Sequence, residues 1–282
     1  MRKGWVITAY ALIIIGVIGL AFNKFDLGNK QKISINKEWT FDAATLKNMT
    51  VIGSSDNLEV EFVRSNDGTG FIEVDGEFSQ QVVDRIMSTA ISGDSFQLDL
   101  SADSEFTVFA FDFSNPKTHI TVTIPDGETL DTLDVNSTSG NTKVRNILAA
   151  NATVTTTSGN LTVADTQIDN LILKANSGNI IAEEITSNLD VSITSGNMKI
   201  TDLSGELSAK ANSGNITVTQ KTTGSAKVQA TSGNVHFTVA NGFSGIYNLR
   251  ANSGNIKSPD SIGTSSDIIN IQTTSGNIKV KE

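Results

Sequence analysis

From Leu133 onward the hydrophobic positions are arranged around a Ser-Gly-Asn triplet whose serine recurs at Ser139, Ser158, Ser177, Ser195, Ser213, Ser232, Ser253 and Ser275. Successive serines are 19, 19, 18, 18, 19, 21 and 22 residues apart. Aligned on that serine, apolar residues stand six and four places before it and three and five after it. Leu189, Val191, Met198 and Ile200 show the rule, and Leu171, Leu173, Ile180 and Ala182 repeat it one unit earlier. Alternation with period two predicts a half-buried strand on each side of the triplet. The triplet itself is the turn, because glycine and asparagine tolerate positive φ. Second turns are marked less regularly, by Ser204-Gly205, Gly224-Ser225, Asn241-Gly242 and Gly263.

Two short strands and two turns in about 19 residues describe one coil of an all-β, β-helix-like parallel β-solenoid, each coil burying its apolar face against its neighbours. An antiparallel meander with two-residue hairpins would share the same parity. The identity of the columns favours the solenoid, since in-register parallel stacking sets Asn on Asn and Val on Val. Eight coils are expected from Leu133 to Val280, with the triplets in one row about 4.8 Å apart.

Four segments divide the chain. Residues 131–282 form the regular repeat solenoid; residues 35–130, its irregular β-rich first part, are strand-rich (LEVEFV, GFIEVDG, SFQLDL, HITVTIP) but lack the triplet. Within the latter, Ser79–Ile91 places Val82, Val83, Ile86, Met87, Ala90 and Ile91 at helical spacing, the pattern of one short helix capping the array. Residues 1–23 read as an N-terminal membrane anchor and residues 24–34 as a linker. Gly4–Asn23 is an uncharged run of 20 residues behind Arg2 and Lys3, long enough as a helix to cross a hydrocarbon core of roughly 30 Å. It exceeds the usual apolar stretch of a cleaved signal peptide. The basic pair places the N-terminus in the cytoplasm, and the bulk of this single-pass cell-membrane protein outside it.

Composition narrows the chemistry. The 282 residues contain no Cys and two His, His119 and His236. Disulfides, thiolate zinc sites and thiol nucleophiles are thereby excluded, and multi-histidine metal sites nearly so. The formal net charge of −9 argues against nucleic acid as partner. That charge belongs to the first half, where residues 24–130 carry 18 acidic against 8 basic side chains; residues 131–282 carry 12 against 11.

The stretch ITVTIPDGETLDTLDVNSTSGNTKV, a strand ending in Ile-Pro-Asp-Gly followed by serial Thr/Asn-Ser-Gly-Asn repeats, resembles the bacterial putative-adhesin domain family of unknown function. A single N-terminal membrane helix before such a domain is similar to the LiaG-like envelope proteins associated with cell-envelope stress operons. The resemblance covers most of residues 35–282 and implies a β-helix-like fold. It brings no catalytic residues.

Three features are candidates for chemistry. The triplet column is read as structural. Positive side chains form two outward columns, Lys174, Lys210 and Arg250 three places before the serine, and Lys143, Lys199, Lys257 and Lys279 four places after it. They form a solvated face on which an anionic wall polymer could bind. Seven places after the serine stand Asn146, Asp165, Glu184, Asp202 and Gln220. In-register stacking would bring Asp165, Glu184 and Asp202 to strand spacing, where their repulsion could be relieved by a cation with oxygen ligands, making them the candidate metal site. No cofactor and no enzymatic activity is expected. The expected role is that of a membrane-anchored, extracytoplasmic adhesin-like or cell-envelope interaction protein, related to envelope stress, whose partners are the membrane through its N-terminal helix and a cell-wall polymer or envelope protein. The alternative is a polysaccharide-acting β-helix enzyme using the Asp165, Glu184 and Asp202 column.

Overall fold

The computed structural model describes residues 32–42, 44–54, 56–66, 68–101 and 117–282. The anchor over residues 1–23 lies outside them, as does all but the end of the linker. Among the described residues no helix is long and apolar enough to cross a membrane.

The protein is all-β. Each repeat contributes one strand before its triplet and one after it, and each strand pairs with its counterpart on the next coil. Leu171 faces Leu189, Leu189 faces Leu207 and Leu207 faces Ala226, all in parallel register. The strands after the triplet do the same, with Ile180 on Met198, Met198 on Ile216 and Ile216 on Val235. Parallel pairing excludes the antiparallel meander for these residues. The alternating apolar positions point inward: Val135, Val154, Leu173, Val191 and Val228 form one fully buried column, Val144, Val163, Ile200 and Val218 another. The change from a 19-residue to an 18-residue repeat is absorbed by a register shift between Gln167 and Asn170, away from the triplets.

The triplet turns form a continuous ladder. The backbone N–H of each asparagine donates to the side-chain Oδ1 of the asparagine on the preceding coil, at 3.1 Å for Asn179 on Asn160, 3.1 Å for Asn197 on Asn179 and 3.0 Å for Asn215 on Asn197. The first rung is Asn57, outside the triplet pattern, whose Oδ1 accepts from the Asn141 N–H at 2.9 Å. The strands Asn48–Gly53 and Asn57–Ser65 therefore form a coil beneath that of Ser139, and the stack starts well before Leu133. The glycine between serine and asparagine is fixed by space as well as by φ. A β-carbon on Gly196 (φ +133°) would lie 1.6 Å from the carbonyl oxygen of Gly178 on the neighbouring coil.

The stack departs from chain order at both ends. The last repeat in sequence, that of Ser275, lies between the Ser232 and Ser253 repeats: Ala226 pairs with Ile269, and Ile271 with Leu249. The longer 21- and 22-residue intervals supply the chain needed to pass over one position and return. The residues at the inward positions explain the choice: the inserted repeat offers Ile269, Ile271, Ile278 and Val280, all buried, whereas the outer repeat offers Tyr247, Leu249, Ile256 and the polar Ser258. The connection between the two folds over the outer edge, where Ser261 Oγ accepts from the Tyr247 N–H at 2.9 Å and the Thr264 N–H donates to the Ser244 carbonyl at 2.8 Å. At the opposite end, strand Ser95–Asp99 pairs outside Asn48–Gly53, and strand Lys117–Pro125 outside Asn57–Ser65.

Only at that first end do antiparallel pairs occur among the described residues: Ile33–Asp42 with Thr69–Phe78, and the latter with Lys117–Pro125. Strand pairing starts at Ile33, inside the expected linker. The predicted helix forms over Gln80–Ser88, buries Val82, Val83 and Ile86, and packs against these end strands. It covers an edge that would otherwise be open to pairing.

At the second turn, Asn146, Asp165, Glu184 and Asp202 all adopt left-handed backbone with φ of 53° to 56°. Asparagine and aspartate tolerate that region; an ordinary L-residue pays roughly 1–2 kcal/mol for it.

Three outcomes follow from this packing. Gly196→Ala is expected to lower the thermal midpoint sharply in a circular-dichroism melt, because the carbonyl it meets belongs to backbone and cannot swing away. Val191→Asp places a carboxylate in the sealed column at a cost of several kcal/mol, and should abolish the cooperative β-sheet transition. Glu184→Asn should raise the midpoint, with a gain of about 0.5–1 kcal/mol from relieving the left-handed backbone.

Candidate functional site

The carboxylate row is real in register but not gathered. Ala164 faces Glu183 and Thr166 faces Ile185, so Asp165 lies beside Glu184. Glu183 faces Thr201 and Thr186 bridges to Ser204, so Glu184 lies beside Asp202. All three side chains are exposed, and among the described residues no three His, Asp or Glu side chains are grouped as a metal site would require. The expected extension of the row to Gln220 is corrected. A register shift after Ile200 puts Gln220 opposite Leu203, inside the coil, where its Nε2 donates to the Gly224 carbonyl at 3.0 Å. The left-handed turn accounts for the Asn and Asp residues in this row without a ligand.

The positive columns are placed as expected, on the outer face, but their neighbours differ. Four places after the serine, Lys143 pairs with Glu59 at 3.3 Å, and Lys199 with Glu183 at 3.6 Å. His119 Nδ1 lies 3.9 Å from the same Glu59. These ion pairs are part-exposed and individually weak. His236 is exposed, between Thr217 and Lys279 in register, and forms no ion pair with an acid among the described residues.

Three places before the serine, the register reads Lys174, Ser192, Lys210, Gln229, Gln272 and Arg250 on successive coils. The exchange of the last two repeats puts Gln272 between Gln229 and Arg250. Two cations therefore bracket two carboxamides across three coil steps, roughly 14 Å at strand spacing. Lys210, Gln229, Gln272 and Arg250 line a groove of about 420 Å³ together with Thr231 and Thr274. Arg250 is oriented by its Nε donating to Asn252 Oδ1 at 3.3 Å. A second groove of about 720 Å³ runs along the starts of the same strands and mixes Asn170, Asn188, Glu206 and Lys227 with Ile172 and Ile268. Neither groove holds an aromatic ring.

Amide and hydroxyl groups in such a row can hydrogen-bond a polyhydroxylated chain, and the flanking cations can neutralise its anionic substituents. Charge alone marks only Lys174, Lys210 and Arg250 in this row, not Gln229 and Gln272. The signal was present, since both stand three places before a triplet serine. Nearby, the Tyr247 phenol is raised above its ordinary pKa by burial and then by the Glu282 carboxylate, and its ring lies 5.1 Å from that of Phe243.

No curated protein matches the chain. Among solved structures, similarity extends to a putative adhesin from Bacteroides fragilis, 15% identical over 87% of this chain and 97% of that one, with a TM-score of 0.42. A protein from Parabacteroides distasonis titled as a putative lipid binding protein is 16% identical over 90% of this chain and 98% of that one, with a TM-score of 0.45. A putative adhesin from Parabacteroides merdae is 12% identical over 90% and 98%, with a TM-score of 0.31. The sequence profile of one family, Toastrack DUF4097, matches residues 46–281. That match takes in the first coil, the capping helix and every Ser-Gly-Asn repeat, and the chain belongs to the Toastrack DUF4097 family.

Proposed function

We propose that this protein is a non-enzymatic, adhesin-like β-solenoid of the cell envelope, held to the cell membrane by residues 1–23 with its body outside, whose outer face binds an anionic cell-wall polymer. The observation that carries the reading is the groove in which Lys210 and Arg250 bracket Gln229 and Gln272. Its chemistry suits a hydroxylated chain bearing separated negative charges. The absence of an aromatic platform from the groove implies weak contact per site, and repeated rows along one face compensate through multivalency. The adhesin names borne by solved relatives agree with such a role. The anchor reading rests on Gly4–Asn23 and fits a protein that displays a binding face at the cell surface.

The test is retention of purified anionic wall polymer by the full chain in detergent. Wild type should retain it, and the Gln272→Ala, Arg250→Gln double variant should retain at least fivefold less at an unchanged thermal midpoint. No retention by wild type, or equal retention by both, would remove the groove from the function.

A further inference from the structure

In the strands that follow the triplets, at the free end of the stack, His236, Lys279 and Lys257 occupy one row on three successive coils, with Lys279 in the middle. Lys281 lies two residues along the same strand and pairs with Thr238. His236, Lys257 and Lys281 are exposed and Lys279 is half-buried. Elsewhere on this row the lysines are neutralised by Glu59 and Glu183. Among the described residues, Lys257, Lys279 and Lys281 have no such partner. Like charges opposite one another on neighbouring strands destabilise a sheet, and here the Lys257 and Lys279 ammonium groups stand directly opposite each other, with the His236 imidazole on the next coil and Lys281 two residues along, in a register that the buried Ile278 and Val280 enforce. Side-chain flexibility and salt make the repulsion tolerable; a ligand with negative charges at a similar repeat would remove it.

We propose that His236, Lys257, Lys279 and Lys281 form a second, separate binding site for a linear phosphodiester chain of the polyol-phosphate class. A row of point cations at regular spacing matches a chain of regularly spaced phosphates better than isolated carboxylates, because ammonium groups engage phosphate as compact charges from several directions. A nucleic acid carries the same phosphodiester chemistry. It is disfavoured because the row has no exposed aromatic side chain on which a base would stack. The site is distinct from the groove: its residues lie in the strands that follow the triplets, whereas the groove residues lie before them.

The experiment measures binding of poly(glycerol phosphate) to the full chain in detergent by calorimetry across a salt series, with a short oligothymidylate as the second arm. The expected affinity for poly(glycerol phosphate) falls with salt at a log–log slope of about −2 to −3, the release expected for three to four neutralised phosphates. Lys257→Gln combined with Lys279→Gln should weaken binding at least tenfold and flatten the slope by about 1.4. The thermal midpoint should hold or rise, which separates lost binding from lost folding. Lys221→Gln, combined with Lys227→Gln, removes equal charge elsewhere and should change neither affinity nor slope. Equal loss in both double variants, absence of binding by wild type, or tighter binding of the oligothymidylate would each overturn the proposal.

Discussion

Each triplet glycine carries its carbonyl oxygen where a β-carbon on the next coil would have to sit. The separation would be 1.6 to 2.0 Å along the whole column, from Gly159 on Gly140 to Gly254 on Gly276. This close approach lets successive turns stack without splaying, and the asparagine ladder depends on it, because the N–H to Oδ1 bonds of about 3 Å exist only when adjacent turns superpose. The ladder then sets the register of both flanking strands, and register decides which side chains are sealed in the core, since a slip of one residue would turn every inward valine outward.

A stack with such strict register has two ends, and an uncovered end is a template for further pairing. The chain handles them differently. At the first end it adds antiparallel strands and the helix Gln80–Ser88. At the other, it sends the seventh repeat outward, folds residues 258–267 over part of the exposed edge and returns the eighth repeat to the interior. The outermost strands keep Arg250 and Lys257 on their outward side, and charges there discourage edge-to-edge association. Those same cations are the ones available to a polyanion.

The repeat also turns a modest surface into a periodic one. Any residue type recurring at one offset becomes a row at strand spacing, so amides, hydroxyls and charges are displayed at regular intervals along one axis. That suits a polymeric ligand with its own repeat better than a small molecule, which would need a deep, converging pocket. The same rule produces the carboxylate row: alignment at strand spacing sets the exposed Asp165, Glu184 and Asp202 side by side on successive coils.

Much of this was legible in the amino-acid sequence. Period-two alternation around Ser-Gly-Asn determined the strands, the turns and the buried columns, because parity and glycine's special backbone are local properties carried by each repeat. The helix at residues 80–88 was legible for the same reason, its apolar stripe. What only the tertiary structure decided was adjacency. Whether Gln272 or Arg250 stands next to Gln229 depends on which of two similar repeats buries the better apolar set, and that is a competition between packing energies with no local signature. Gln220 likewise turned inward because a register shift after Ile200 moved it by one place, and Asn57 joined the ladder from a turn without the triplet. Local pattern sets what each coil is; the order of the coils, and hence the chemistry of every row, is settled by the core they share.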